Sequence, residues 1–189
     1  FAGAIHLPDD EVGNCRQFPP MLRNVAQGLG AQFEFNTTAL PLDPARPATL
    51  WLARTGQSPE QRAFHAVVAC GGVGTAALLR PLGLRLPLAA VHGYSISAPI
   101  RELASAPRSA VIDAHHKVAI TRLGQRVRVA GSAEIGGRAD RKRKQSIESL
   151  YRVLNDWFPG AAQLANTGAA AQDWTGARPM LAGGPPLLG

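Results

Sequence analysis

Cysteine is nearly absent from this 189-residue sequence, which has two, Cys15 and Cys70, each standing alone. Without a second pair, or histidines at ligand spacing, a cysteine-based zinc centre is excluded, and both thiols are expected to be reduced, buried packing residues. Charge is also sparse, at 17% of residues against 46% hydrophobic. With a mean hydropathy of −0.04 this describes a folded, water-soluble chain, and a disordered one is excluded. No apolar run is long enough to cross a bilayer, and residues 1–7 lack the charged and apolar regions of a signal peptide, so an intracellular, cytoplasmic location is expected. Missing too are a G-x-S-x-G elbow, an H-E-x-x-H pair, a phosphate loop of the G-x-x-x-x-G-K-[ST] type and a G-x-G-x-x-G turn. Acidic residues are the minority, 13 against 20 Lys and Arg, leaving a net charge of +7. Much of the excess lies in Arg138, Arg141, Lys142, Arg143 and Lys144. Such a run reads first as a solvated helix face, second as a surface for an anionic leaflet at the inner face of the cell membrane. Nucleic acid comes last, because no recognition-helix, RNP-type or zinc-finger pattern accompanies the charge.

Apolar Phe18, Leu22, Val25, Ala26 and Leu29 recur at helical spacing behind a capping-box pair, Asn14 and Gln17, with Pro19 able to mark the true start and Gly28 and Gly30 the stop. Stretch 32–36 alternates Phe33 and Phe35 with polar residues and reads as a half-buried strand, as does 49–54. Val67, Val68 and Ala69, breaking at Gly71-Gly72, suggest a buried strand over 63–70 entering a tight turn, followed by a short helix ending before Pro81. An extended segment is expected over 86–100, then a hairpin of 117–122 and 126–130 with one wet face. Asp140 is a candidate cap for a last helix whose stripe is Ile147, Leu150, Tyr151, Leu154 and Phe158. Helix and strand alternate in the first half and hairpins dominate the second, which predicts an α+β fold.

The glycine cluster Gly71-Gly72-Val73-Gly74 follows an expected strand and precedes a helix. A nucleotide could approach its backbone, although the spacing is not that of a dinucleotide fingerprint and a plain structural turn fits as well. His115-His116, adjacent on an expected strand, would point to opposite faces and could not chelate one metal together; no metal site is expected. His6, His65 and His92 are isolated and read as packing or surface residues, and Glu134 as the solvated end of a hairpin. Arg178 differs, being a single charge between Gly176-Ala177 and Pro179-Met180. A partly buried guanidinium needs an anion, and from pattern alone that anion is either a structural Asp or Glu or a ligand.

The segments Trp174-Thr175-Gly176-Ala177-Arg178-Pro179-Met180, His92-Gly93-Tyr94-Ser95-Ile96, Leu7-Pro8-Asp9-Asp10-Glu11, Phe33-Glu34-Phe35-Asn36-Thr37 and Ala133-Glu134-Ile135, together with 117–123, occur in the order found in D-amino acid dehydrogenases. The sequence resembles those flavoproteins, of the D-amino acid oxidase superfamily, from about Gly3 to Gly189. The resemblance implies FAD as cofactor, oxidation of D-amino acids to imino acids that hydrolyse to 2-oxo acids and ammonia, and electrons delivered to the respiratory chain. It implies a mixed, largely antiparallel substrate-domain sheet with flanking helices plus the middle part of an FAD-binding α/β domain. Residues 1–12 and 86–175 would form the substrate domain, and 13–85 and 176–189 the partial FAD-binding domain, an internal piece without the opening G-x-G-x-x-G turn or the closing glycine-rich segment. By the same resemblance Arg178 holds the substrate carboxylate, Tyr94 contributes a hydroxyl to the same site, and Ala39, Gly71 and Gly72 lie near the cofactor; no side chain of the chain is expected to act as a catalytic acid or base. Two departures stand out: Ala182-Gly183-Gly184 replaces a frequent Pro-Asp-Gly, and His116 stands where tyrosine is usual. Alternative expectations are oxidation of a secondary amine or of glycine or sarcosine within the same superfamily, and a non-catalytic interaction domain with a basic face.

Overall fold

The β-branched and alternating stretches form two antiparallel sheets in a computed structural model that describes residues 3–138, 140–163 and 171–186. Residues 187–189 of the closing glycine- and proline-rich stretch, and parts of the ranges assigned above to the two domains, lie outside the described residues. Helix α1 (Phe18–Gly28) precedes a three-stranded sheet of β1 (Thr37–Ala39), β2 (Thr49–Arg54) and β3 (Glu60–Ala63), with β2 in the middle. A 3-10 turn, Gly72–Gly74, leads into α2 (Thr75–Leu79). Five strands then form the larger sheet: β4 (Leu88–Pro99), β5 (Val111–Asp113), β6 (Val118–Leu123), β7 (Arg126–Ile135) and, after helix α3 (Lys144–Trp157), β8 (Gln172–Leu181). Their spatial order is β5-β6-β7-β4-β8, and β8 pairs with β4 along its whole length, through positions 175 and 176. The α+β expectation is met by this mixed, largely antiparallel architecture.

The core lies where the periodicity puts it. Tyr94, Ile96 and Ala98 of β4, Val118 and Ile120 of β6, and Val127 and Val129 of β7 alternate onto one face, which α3 covers with Leu150, Val153 and Leu154. Leu150 and Leu154 are almost wholly enclosed, so truncating either to alanine costs about 2–5 kcal/mol in general experience. The hairpin between β6 and β7 turns at Gly124, whose φ of +61° favours glycine.

Several local expectations are corrected. The α1 stripe forms a helix as read, but Phe18, Met21, Leu22 and Val25 are all more than half exposed. Residues 32–36 are not a strand: Asn36 sits at φ +54° and β1 begins after it. Nor are 64–70, where Val68 is exposed; a fully buried strand needs neighbours on both sides, and the described residues supply none. Asp140 does not cap α3, because it pairs with Arg138, and the position before the helix is Arg143, without a side-chain cap. Both cysteines are free and exposed. His115 and His116 occupy the turn between β5 and β6, their rings edge to face at 4.7 Å.

Candidate active site

Directly paired residues in an antiparallel ladder share a face, and successive residues alternate. The register Val91↔Arg178, Gly93↔Gly176 and Ser95↔Trp174 therefore places these six residues together on the face turned away from α3. Gly93 and Gly176 are the floor. Arg178 reaches across onto β4, where its Nη2 lies 2.8 Å and its Cζ 3.3 Å from the point a Cβ on Gly93 would occupy. Trp174 lies down along its own strand, its Cζ3 2.9 Å from the corresponding point on Gly176. Neither side chain could rest there over alanine, which is the physical reason for glycine at both positions. Beside Gly93 the β4–β7 register shifts between His92 and Tyr94, and Ser132, in the bulged stretch, has φ +64°. Such a bulge bends the sheet locally at the platform.

Arg178 is exposed and forms no hydrogen bond or ion pair among the described residues. It is thus a donor fork on a fixed floor without an acceptor of its own, suited to a planar carboxylate. None of the other five residues on the patch can act as a proton-transferring base, so the surface is suited to binding and orienting a ligand rather than to proton transfer.

Tyr94 lies on the opposite face, 2% exposed, in the core beneath the platform. Its hydroxyl donates to a Glu134 carboxylate oxygen and accepts the Arg143 backbone N–H at 3.4 Å. The Glu134 hydrogen bond, then burial, push the phenol above its usual pKa, so it stays neutral. Glu134 is accordingly engaged and half-buried rather than a solvated hairpin end. His92, across the ladder from Glu134, is buried with Nδ1 unpartnered. Arg178 and Tyr94 are thus brought to one pair of strands but not to one surface.

Gly71 and Gly72 are exposed at the start of the 3-10 turn, Gly72 at φ +56° with open space where a Cβ would stand. The turn packs against β8 and β4, which brings it beside the strands that carry the platform. Open glycine backbone at this place fits close approach of a nucleotide cofactor. Ala39 ends β1 in the smaller sheet, exposed and paired with Leu52. Among the described residues no cluster of histidine, cysteine or carboxylate could hold a metal ion. Trp174 and the Gly93–Gly176 floor were not singled out in the sequence as site residues; the spacing Trp174-x-Gly176-x-Arg178 puts three alternate positions of one strand on one face, but only the β4–β8 register joins Gly93 to them.

The same architecture is found in a solved structure. A solved glycine oxidase from Geobacillus kaustophilus superposes with a TM-score of 0.73 at 22% identity, covering 90% of this chain and 43% of that one, a likeness that shows the fold alone. The family model described as FAD dependent oxidoreductase, DAO, matches residues 1–189, and the chain belongs to that family. Among its relatives, a D-amino acid dehydrogenase of Rhodopseudomonas palustris (strain HaA2) is 42% identical over 192 residues, and one of Bradyrhizobium diazoefficiens is 40% identical over 191. Each match takes in all of this chain and 43% of the relative, so the chain spans less than half the length of these proteins.

Proposed function

We propose that this chain provides the substrate-holding surface of an FAD-dependent oxidoreductase that converts D-amino acids to 2-oxo acids and ammonia. The observation that carries the reading is the unpaired Arg178 guanidinium lying on the glycine floor. Support comes from relatives that are D-amino acid dehydrogenases at about the same identity along the whole chain. Arg178 takes the carboxylate through two parallel N–H donors, which fixes one of the four substituents around the substrate Cα and the plane of that group, leaving handedness to the contacts made by the other substituents. When bound, FAD supplies the acceptor for the hydride that leaves Cα. Gly71 and Gly72 offer it their open backbone, with Ala39 on the same half of the chain. The amine proton goes to solvent, and the resulting imino acid hydrolyses to the 2-oxo acid. Tyr94 holds β4 and β7 together under the platform through Glu134. Electrons pass onward to an acceptor of the respiratory chain, and the exposed basic residues 141–144 form the surface that would face the inner leaflet of the cell membrane.

The test is anaerobic. Full-length holoprotein is mixed in turn with D-alanine, L-alanine and sarcosine while flavin absorbance is followed. Bleaching by D-alanine and not by the other two is the expected result. Bleaching by sarcosine alone would move the protein to secondary-amine oxidation, and no bleaching by any amine would leave a non-catalytic scaffold.

A further inference from the structure

A carboxylate grip at Arg178 leaves the rest of the amino acid to be recognised by something else, and the platform holds one more large side chain. Trp174 is 60% exposed, and its six-membered ring occupies the space that a Cβ on Gly176 would take. Gly93 and Gly176 face each other directly in the ladder, and Cβ positions of such partners are about 4.5–5.5 Å apart. The guanidinium covers one of these positions and the indole the other. The anion-binding fork and the aromatic surface are therefore neighbours over a single floor. A ligand whose carboxylate sits on Arg178 has its Cα one bond further out. Its side chain, branching there, comes within reach of the indole.

We propose that Trp174 determines specificity: its ring forms the wall against which the substrate side chain packs, selecting D-amino acids with apolar or aromatic side chains over glycine and over D-aspartate. The inference rests on the carboxylate reading of Arg178. Apolar carbon on the indole removes water from both surfaces, and an aromatic side chain gains from offset or edge-to-face packing as well. A second carboxylate gains nothing there, because apolar indole carbon offers a charged group no hydrogen-bond donor in exchange for its water. Gly176 thus serves Trp174 as Gly93 serves Arg178.

The experiment compares two unreactive carboxylates, acetate and phenylacetate, by titration calorimetry with full-length holoprotein, in parallel with kcat/KM for D-alanine and D-phenylalanine. The proteins are the parent, Trp174→Ala, Trp174→Phe and Arg178→Met, each checked for its flavin spectrum and melting temperature. Trp174→Ala is expected to weaken phenylacetate and to lower kcat/KM for D-phenylalanine by about three- to tenfold more than it affects acetate and D-alanine, the scale of one aromatic contact. Trp174→Phe, which keeps an aromatic wall, is expected to recover most of the loss. If both carboxylates weaken in step, or neither changes, the wall is not Trp174 and the proposal is overturned. Arg178→Met tells the two readings apart: it is expected to weaken both ligands, and if it weakens neither, the carboxylate reading fails and takes this inference with it.

Discussion

Arginines at the two ends of this molecule differ in what already holds them. Arg54 and Arg62 share Glu34 and Glu60, Arg138 pairs with Asp140, and Arg178 has no carboxylate among the described residues. The paired ones are exposed ion pairs that contribute little to stability; the unpaired one is the group with binding capacity left over. Replacing Gly93 with alanine tests how the floor sets that capacity. The new methyl meets the far end of a flexible side chain, so the fold is expected to persist with an unchanged melting temperature while carboxylate affinity falls as the guanidinium is pushed aside; calorimetry with acetate measures it. Tyr94 makes the opposite prediction. Tyr94→Phe leaves the Glu134 carboxylate without its donor and is expected to cost about 1–3 kcal/mol of stability in denaturant titration, with acetate affinity intact. Because the phenol is shifted upward, the stability it brings is fully present below the ordinary tyrosine value near pH 10 and is lost as pH rises through its folded value. Of these residues, Arg178 was legible as a lone charge among small neighbours. Its floor and Trp174 were not, because Gly93 and Gly176 lie 83 positions apart in the chain, and only the register between β4 and β8 makes them partners.

Among the elements, α3 and the β6–β7 hairpin were readable from their own residues, since 3.6-residue and alternating periodicities are local. Residues 63–70 were not: apolarity there suggested burial, but a strand exists only where another strand takes its amides, and Val68 remains exposed. A charged side chain preceding a helix was equally ambiguous, and Asp140 went to Arg138 instead of to the amides of α3. Asp113 is the tie between elements that no local pattern announced. Its carboxylate accepts the His116 backbone N–H at 2.9 Å, His116 Nδ1 at 2.8 Å and Trp157 Nε1 at 2.9 Å, joining the β5–β6 turn to the last residue of α3. These donors, the His116 backbone first, hold the carboxyl far below its ordinary value. A depressed carboxylate contributes stability that is present above its unfolded pKa, near 3.8, and is lost as pH falls below it toward the folded value. Asp113→Asn is therefore expected to lower the melting temperature at neutral pH and to flatten its decline in acid; equal declines in parent and variant would show that other groups dominate acid unfolding.

At the scale of the whole chain, the two sheets are unequally supported. The five-stranded sheet and α3 own nearly all of the core, while the smaller sheet and its surroundings contribute Leu52 and Leu42, and α1 contributes no buried residue. Stability should follow that division, because opening costs least where few apolar contacts are broken. Hydrogen exchange on this chain by itself is expected to show lasting protection in β4, β7 and α3 and early exchange in α1; equal protection in α1 would contradict the division. Charge follows a different pattern. In the basic run, Arg138, Lys142 and Lys144 are matched by Asp140, Asp173 and Glu148, which trims the field that residues 138–144 present to any anionic surface. Fold class was legible at this scale from alternating and hairpin patterns. The exposure of the α1 stripe was not, since periodicity marks a face without saying what covers it.

We propose above that the Arg178 guanidinium, resting on the Gly93–Gly176 floor, receives the substrate carboxylate. Its most direct test is kcat/KM of full-length holoprotein for D-alanine before and after Arg178→Met. A loss equivalent to about 2–5 kcal/mol is expected, as for other oriented charge pairs, with the flavin spectrum unchanged. An unchanged kcat/KM would remove Arg178 from the site, and with it the carboxylate grip.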